Sequence, residues 1–177
     1  MASFQDRVIG AMWLRAATFE DVEHDASATS QAAIVVLAAS VARGIGASYD
    51  IGVRGLLFSI VTSAVAWVVG AAVLWIVGTR VLPGKNTEAD FGQLLRTVGF
   101  AQAPAMFAVL GVLPLPGPLL AFLASVVWVL LATVIAVRQA LDYDDIVRAV
   151  IVCVMAWFAY VVVTLIASLL GFGARVF

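Results

Sequence analysis

The chain has 177 residues, of which 64% are apolar and 12% charged, with a mean hydropathy of +1.10. A soluble domain carries roughly 25% charged residues and about 45–50% apolar ones, so a water-soluble monomer is excluded here. The net charge of −1 argues against nucleic-acid binding by phosphate neutralisation, and one cysteine with one histidine leaves no internal disulfide and no ordinary zinc site.

The first 25 residues lack the uninterrupted apolar run of a signal peptide. Phe4, Val8, Ala11 and Met12 recur at helical spacing, with Asp6, Arg7 and Gly10 on another arc. This predicts a short amphipathic helix in the membrane interface, with Trp13 at the headgroup level. Arg15 falls inside the apolar arc, and a plain cytoplasmic tail is the alternative. Thr18-Phe19-Glu20-Asp21 has the pattern of a second helix start, with Thr18 as its cap. Residues 1–28 therefore read as a cytoplasmic N-terminal segment and 29–177 as a transmembrane domain.

A span needs ~20 mostly apolar residues. No charge occurs in 26–42, 55–79, 97–137 or 149–174. The third gap is too long for one helix, and Leu113-Pro114-Leu115-Pro116-Gly117-Pro118 divides it, because closely spaced prolines cannot continue a helix. Five spans result: Thr29–Gly46, Gly55–Thr79, Gly92–Leu113, Pro118–Ala140 and Ile146–Gly171. The fold class is thus an all-α integral membrane protein, a bundle of five transmembrane helices preceded by a short interfacial helix.

Lys and Arg resist translocation, so their distribution sets orientation. Arg7, Arg15, Arg80, Lys85, Arg96, Arg138 and Arg148 share one side; Arg43, Arg54 and Arg175 lie on the other. The N-terminus is expected in the cytoplasm and the C-terminus outside, across the inner (plasma) membrane. All acidic residues except Asp50 share the N-terminal side, so that face is not a polybasic lipid-binding surface.

Catalytic chemistry finds little foothold. His24 sits in a polar run and reads as solvated, and Cys153 lies in mid-span as a small hydrophobe. Asp142, Asp144 and Asp145 suit helix capping better than metal binding. Gly44-Ile45-Gly46 lacks the third glycine of a phosphate loop. No catalytic residue, cofactor or metal is expected. Coupled transport wants ionisable groups at mid-depth, and the middle of every predicted span lacks them. Small-residue stripes, Ser59-Ser63-Ala66-Gly70 on the second span and Ala101-Ala105-Ala108 on the third, mark helix packing, within the bundle or between molecules.

The most distinctive segment surrounds Pro104. It frees the carbonyl of Phe100 and predicts a bend in the third span. Gln102, two residues before it in sequence, is an amide in hydrocarbon and needs a partner from protein or water. Arg96 can reach the interface by snorkelling. With Gly99, these residues form a candidate interaction or structural site.

Here the chain resembles the short bacterial form of the Yip (Ypt/Rab-interacting protein) family. The resemblance rests on Arg7-Val8-Ile9-Gly10-Ala11, Thr18-Phe19-Glu20-Asp21-Val22, Leu94-Leu95-Arg96 with Gly99, Gln102 and Pro104, Trp128, Arg138-Gln139-Ala140-Leu141 and Arg148-Ala149. It adds Trp128 and Arg138 to the candidate site. It implies a five-span bundle with a cytoplasmic N-terminus and a non-enzymatic role. Eukaryotic members bind Rab GTPases, but the short N-terminal segment here gives no support to GTPase binding. The expected partners are the bilayer and either further copies or other integral membrane proteins. The alternative is a permease or channel for a small uncharged solute, recognisable by a continuous polar pore through Gln102.

Overall fold

The computed structural model describes residues 2–47, 52–85 and 87–169. Among the described residues every regular element is helical. The first is α1, Phe4–Met12, opened by a capping box in which Ser3 and Asp6 satisfy each other's backbone amides. Leu14 then takes a left-handed conformation, φ 57°. This conformation is costly for a side chain with a Cβ, and it is offset by Leu14 packing against the apolar cluster beneath the hairpin. The second helix, α2, spans Ala16–His24. Its N-cap is Arg15, three residues before the expected Thr18, and Arg15 makes no side-chain capping bond. Thr18 lies instead in the first turn, where its hydroxyl faces Gly10 so closely that a Cβ there would collide with it.

The two helices form a hairpin bound to the bundle. Ala11, Phe19 and Val22 belong to one buried cluster with Ala28, Val35, Phe100 and Ala132, and Phe4, Val8 and Met12 pack onto it. The apolar arc of α1 therefore faces the protein. The supposed polar arc needs correcting: Arg7 and Gly10 are buried, and Gln5, Asp6, Ile9 and Trp13 are the exposed positions. Arg7 is buried because it finds carboxylates, with Nε 2.7 Å from Asp21, Nη2 2.8 Å from Asp25 and Nη1 donating to Gln31 at 3.1 Å.

Four helical stretches among the described residues are long and apolar enough to cross a membrane: Ala28–Gly46, Ile60–Val81, Phe91–Val112 and Gly117–Ala140. They agree with the first four expected spans to within a few residues. The first lies in α3, Ala28–Ala47. The second comes from α4, Gly52–Ile76, which continues through a π-turn, Val77–Val81. The third comprises α5, Phe91–Phe100, and a 3-10 segment, Ala103–Val112. The fourth joins α6, Gly117–Phe122, a π-turn, Leu123–Trp128, and α7, Val129–Ala140. The last helix, α8, runs Ile146–Leu169, and the remainder of the expected fifth span lies outside the described residues.

The third span is the centre of the bundle, with 56% of its most apolar window buried, against 17% for the second. Where a simple bend was expected at Pro104, the helix changes type: α5 ends at Phe100 and the chain continues as 3-10. A missing N–H at Pro104 removes one α-helical bond, and the tighter winding re-pairs the neighbours, with Gln102 N donating to Gly99 O and Ala105 N to Gln102 O. The 3-10 segment packs along α3 with its backbone in contact. A Cβ at Gly46 would collide with the Ala108 carbonyl, and one at Gly111 with the Gly46 carbonyl.

At the hairpin end, two loops are tied together. Tyr143 Oη donates to Gly78 O at 3.0 Å and Leu82 O at 2.7 Å, and Thr87 donates to Leu141 O at 2.7 Å. Burial raises the Tyr143 phenol's pKa above its usual value. Of the three aspartates expected to cap α8, Asp145 does so, accepting from Val147 N at 2.9 Å. Asp142 occupies a left-handed turn position, φ 49°.

Candidate functional site

The six residues singled out from the sequence do not converge on one site. Arg96 is 9% exposed and does not snorkel: it turns to the C-terminus of α2, donating to the carbonyls of Val22 and Glu23. Those carbonyls belong to a helix end, where Val22 O also accepts from Asp25 N at 3.3 Å and a cation meets the favourable pole of the helix dipole. Trp128 donates Nε1–H to Met12 O at 2.8 Å and stacks on Phe107, fastening α1 to the fourth span. Arg138 donates to Tyr143 O at 3.2 Å and closes the turn into α8. Gly99 admits Ala32 and the indole of Trp67, which leave no room for a Cβ. These four hold elements together.

Glu23 sits beside Arg96 and was missed in the sequence. It is 3% exposed, with Gln93 Nε2 donating to Oε1 at 3.1 Å and Oε2 buried without a hydrogen-bond partner among the described residues. Loss of solvation, reinforced by the nearby Asp142, pushes its carboxyl up to about 7; His24 and Arg96 pull the other way. His24 itself is exposed, as expected.

Gln102 has the partner that burial demanded. Arg43 Nη2 donates to Gln102 Oε1 at 2.6 Å, joining α3 to the start of the 3-10 segment. Arg43 lies one turn before the end of the first span, and through Gln102 its guanidinium meets the middle of the third span, which the sequence reading left uncharged. Its signal was present as an arginine followed by Gly-Ile-Gly inside the expected span Thr29–Gly46.

Both residues line a cavity of about 800 Å³ enclosed by α3, α4, the third and fourth spans and α8. Its walls are mainly Val, Leu, Ala and Trp; Ser63, Ser125 and Thr133 add hydroxyls, and Cys153 lies on it as a buried apolar thiol. The stripe Ser63-Ala66-Gly70 opens onto this cavity, and nothing comes within 4 Å of where a Gly70 Cβ would stand. Within the bundle these positions face the cavity, and contact between molecules is the reading left to them; Ser59 lies outside the described side chains. The stripe on the third span does pack, with Ala101, Ala105 and Ala108 buried. No group of three or more potential metal-ligating His, Cys, Asp or Glu residues occurs among the described residues.

A protein-family model, the Yip1 domain, matches residues 11–168. No curated protein matches, and no solved structure matches.

Proposed function

The chain belongs to the Yip1-domain family, and we propose that it is a non-enzymatic membrane-organising, scaffold or accessory factor. On this reading it acts through helix–helix contacts with further copies or with other integral membrane proteins. The observation that carries the reading is the tight seam between α3 and the 3-10 segment. Backbone meets backbone at Gly46, Ala108 and Gly111, leaving no room even for a Cβ between the two elements. A conduit between α3 and the 3-10 segment would need space and polar groups along that seam. The apolar cavity walls count against it as well.

The outward flank of α4 supplies the surface for contacts. Leu57, Val61 and Val68 are exposed on the side turned away from the cavity, on the least buried of the four spans. As a fifth span, α8 is long enough: its 24 residues extend ~36 Å at about 1.5 Å per residue, more than the ~30 Å of a bilayer core. The seven basic residues on the hairpin side support a cytoplasmic N-terminus in the inner (plasma) membrane.

The second reading, a permease or channel for a small uncharged solute, has the cavity beside Gln102 in its favour. The two separate on the full chain extracted in mild detergent. A discrete complex of fixed stoichiometry, with itself or with one membrane protein, is expected. A monomer that carries an uncharged solute across reconstituted vesicles would overturn the proposal.

A further inference from the structure

We propose that the cavity beside Arg43 binds an anionic phospholipid of the surrounding bilayer, its phosphodiester on the Arg43 guanidinium and one acyl chain along the apolar walls. Arg43 is a permanent cation inside a membrane-spanning stretch. Its hydrogen-bond partner, the Gln102 amide, is neutral, and among the described residues no carboxylate lies within ion-pairing distance of it. A guanidinium held among apolar groups calls for an anion, because a neutral acceptor cannot compensate its lost hydration.

The cavity identifies what kind of anion fits. Its volume, about 800 Å³, falls within the ~300–1,000 Å³ of sites that take small molecules and cofactors. Arg43 places one charge against a mainly hydrocarbon surface, which matches an amphiphile with one anionic head and a long apolar tail. The residues at its rim are exposed apolar side chains, among them Val69, Val126, Leu130, Val154 and Trp157. In a membrane those side chains face acyl chains, so the entrance is lateral and the bilayer itself supplies the occupant. Ser63 and Ser125 offer hydroxyls that an ester or phosphate oxygen can accept from, whereas Thr133 already donates to Val129 O at 2.8 Å. The outward flank of α4 is a different surface, so this site stands independently of the partner contacts proposed above.

The test uses the full chain, exchanged into mixed micelles containing equal phosphatidylglycerol and diacylglycerol, which lacks the phosphodiester, with bound lipid counted by native mass spectrometry. Retention of phosphatidylglycerol over diacylglycerol by at least about tenfold is expected, as one charge-assisted contact provides. Arg43→Lys should keep the preference and Arg43→Gln should remove it. Gly70→Phe, built into open space, should remove the bound lipid while leaving the bundle folded, so the test survives even if Arg43→Gln fails to fold. Equal retention of the two lipids, a preference that persists in Arg43→Gln, or an unchanged lipid count in Gly70→Phe would each overturn the proposal. So would displacement by inorganic phosphate alone, which marks a free-anion site, or by oleate at equal concentration, which marks a fatty-acid site.

Discussion

Arg96, on the third span, closes the C-terminus of α2 by donating to the main-chain carbonyls of Val22 and Glu23, more than seventy residues away in sequence. A basic side chain that could have reached for headgroups serves instead as the latch of the N-terminal hairpin. Replacing it with Met keeps much of the volume and orphans the Glu23 carbonyl, while Val22 O keeps the Asp25 amide at 3.3 Å. Arg96→Met should cost about 2–3 kcal/mol, the range for losing charged hydrogen bonds. The hairpin should then become cleavable by protease in reconstituted vesicles while the spans stay intact; an uncleaved hairpin would show that Arg7 and Trp128 suffice.

Glu23 makes that latch pH-dependent. Its folded pKa, about 7, lies above the unfolded value near 4.5. The raised pKa means that the buried neutral form is preferred. Docking is therefore strongest below about 4.5 and weakens as pH rises through about 7. The raised pKa of His24 acts in the same direction, but its ring is 66% exposed and contributes less. Hydrogen exchange of α2 should be slower at pH 5.5 than at pH 8 after correction for intrinsic rates. Glu23→Gln should remove most of the difference; an unchanged difference would assign it to another group.

The Arg43–Gln102 bond changes the weight of the central amide. An isolated polar contact in a membrane averages only about 0.6 kcal/mol, and on that figure Gln102→Leu should be mild. Because the partner is a cation, removal of Oε1 leaves a charge without its acceptor, and a loss of about 2 kcal/mol is expected. Pro104→Ala restores an amide donor and allows α-helical winding into the 3-10 segment, with a shift of Ala105 and Ala108 against α3. Thermal unfolding in detergent should show Gln102→Leu at least as destabilised as Pro104→Ala. The reverse order would mean that Arg43 holds its place without the Gln102 amide.

Two glycines on neighbouring spans should respond oppositely. Gly46→Ala drives a Cβ into the Ala108 carbonyl, whereas Gly70→Ala enters open space. Overpacking typically costs about 1–3 kcal/mol, and a harmless site stays within about 0.5 kcal/mol. A melting temperature lowered by both substitutions would mean that something occupies the Gly70 side in the purified protein.

Much of the fold was legible because long charge-free runs and Pro114-Leu115-Pro116-Gly117-Pro118 delimit the spans without any tertiary information. The helices on either side of that segment end at Val112 and resume at Gly117. The candidate site was legible only in part. Gln102 announced its need for a partner, but nothing local identified Arg43, fifty-nine residues earlier on another helix. Arg7 looked solvated because its burial depends on Asp21, Asp25 and Gln31 meeting it across a hairpin turn. Ser63, Ala66 and Gly70 have packing chemistry, yet whether a helix or a cavity faces them is decided by the other spans. The start of α2 moved because the Leu14 turn sets it, and a left-handed leucine has no signature of its own.

Orientation is open to a direct check. A reporter inserted after Lys85 should behave as cytoplasmic and one fused after Phe177 as external, given the seven basic residues on the hairpin side and the α8 span. Two reporters on the same side would remove one span from the count.

Contact through the outward flank of α4 is the central functional claim, and site-specific photo-crosslinking in living cells tests it most directly. A photoreactive residue at Val61 or Val68, which are 61% and 43% exposed, should give a covalent product of discrete mass containing a second copy or one membrane protein. The same residue at Val36, 3% exposed within the bundle, should give none. Only lipid adducts from both α4 positions, in cells where the protein is folded and inserted, would contradict the account.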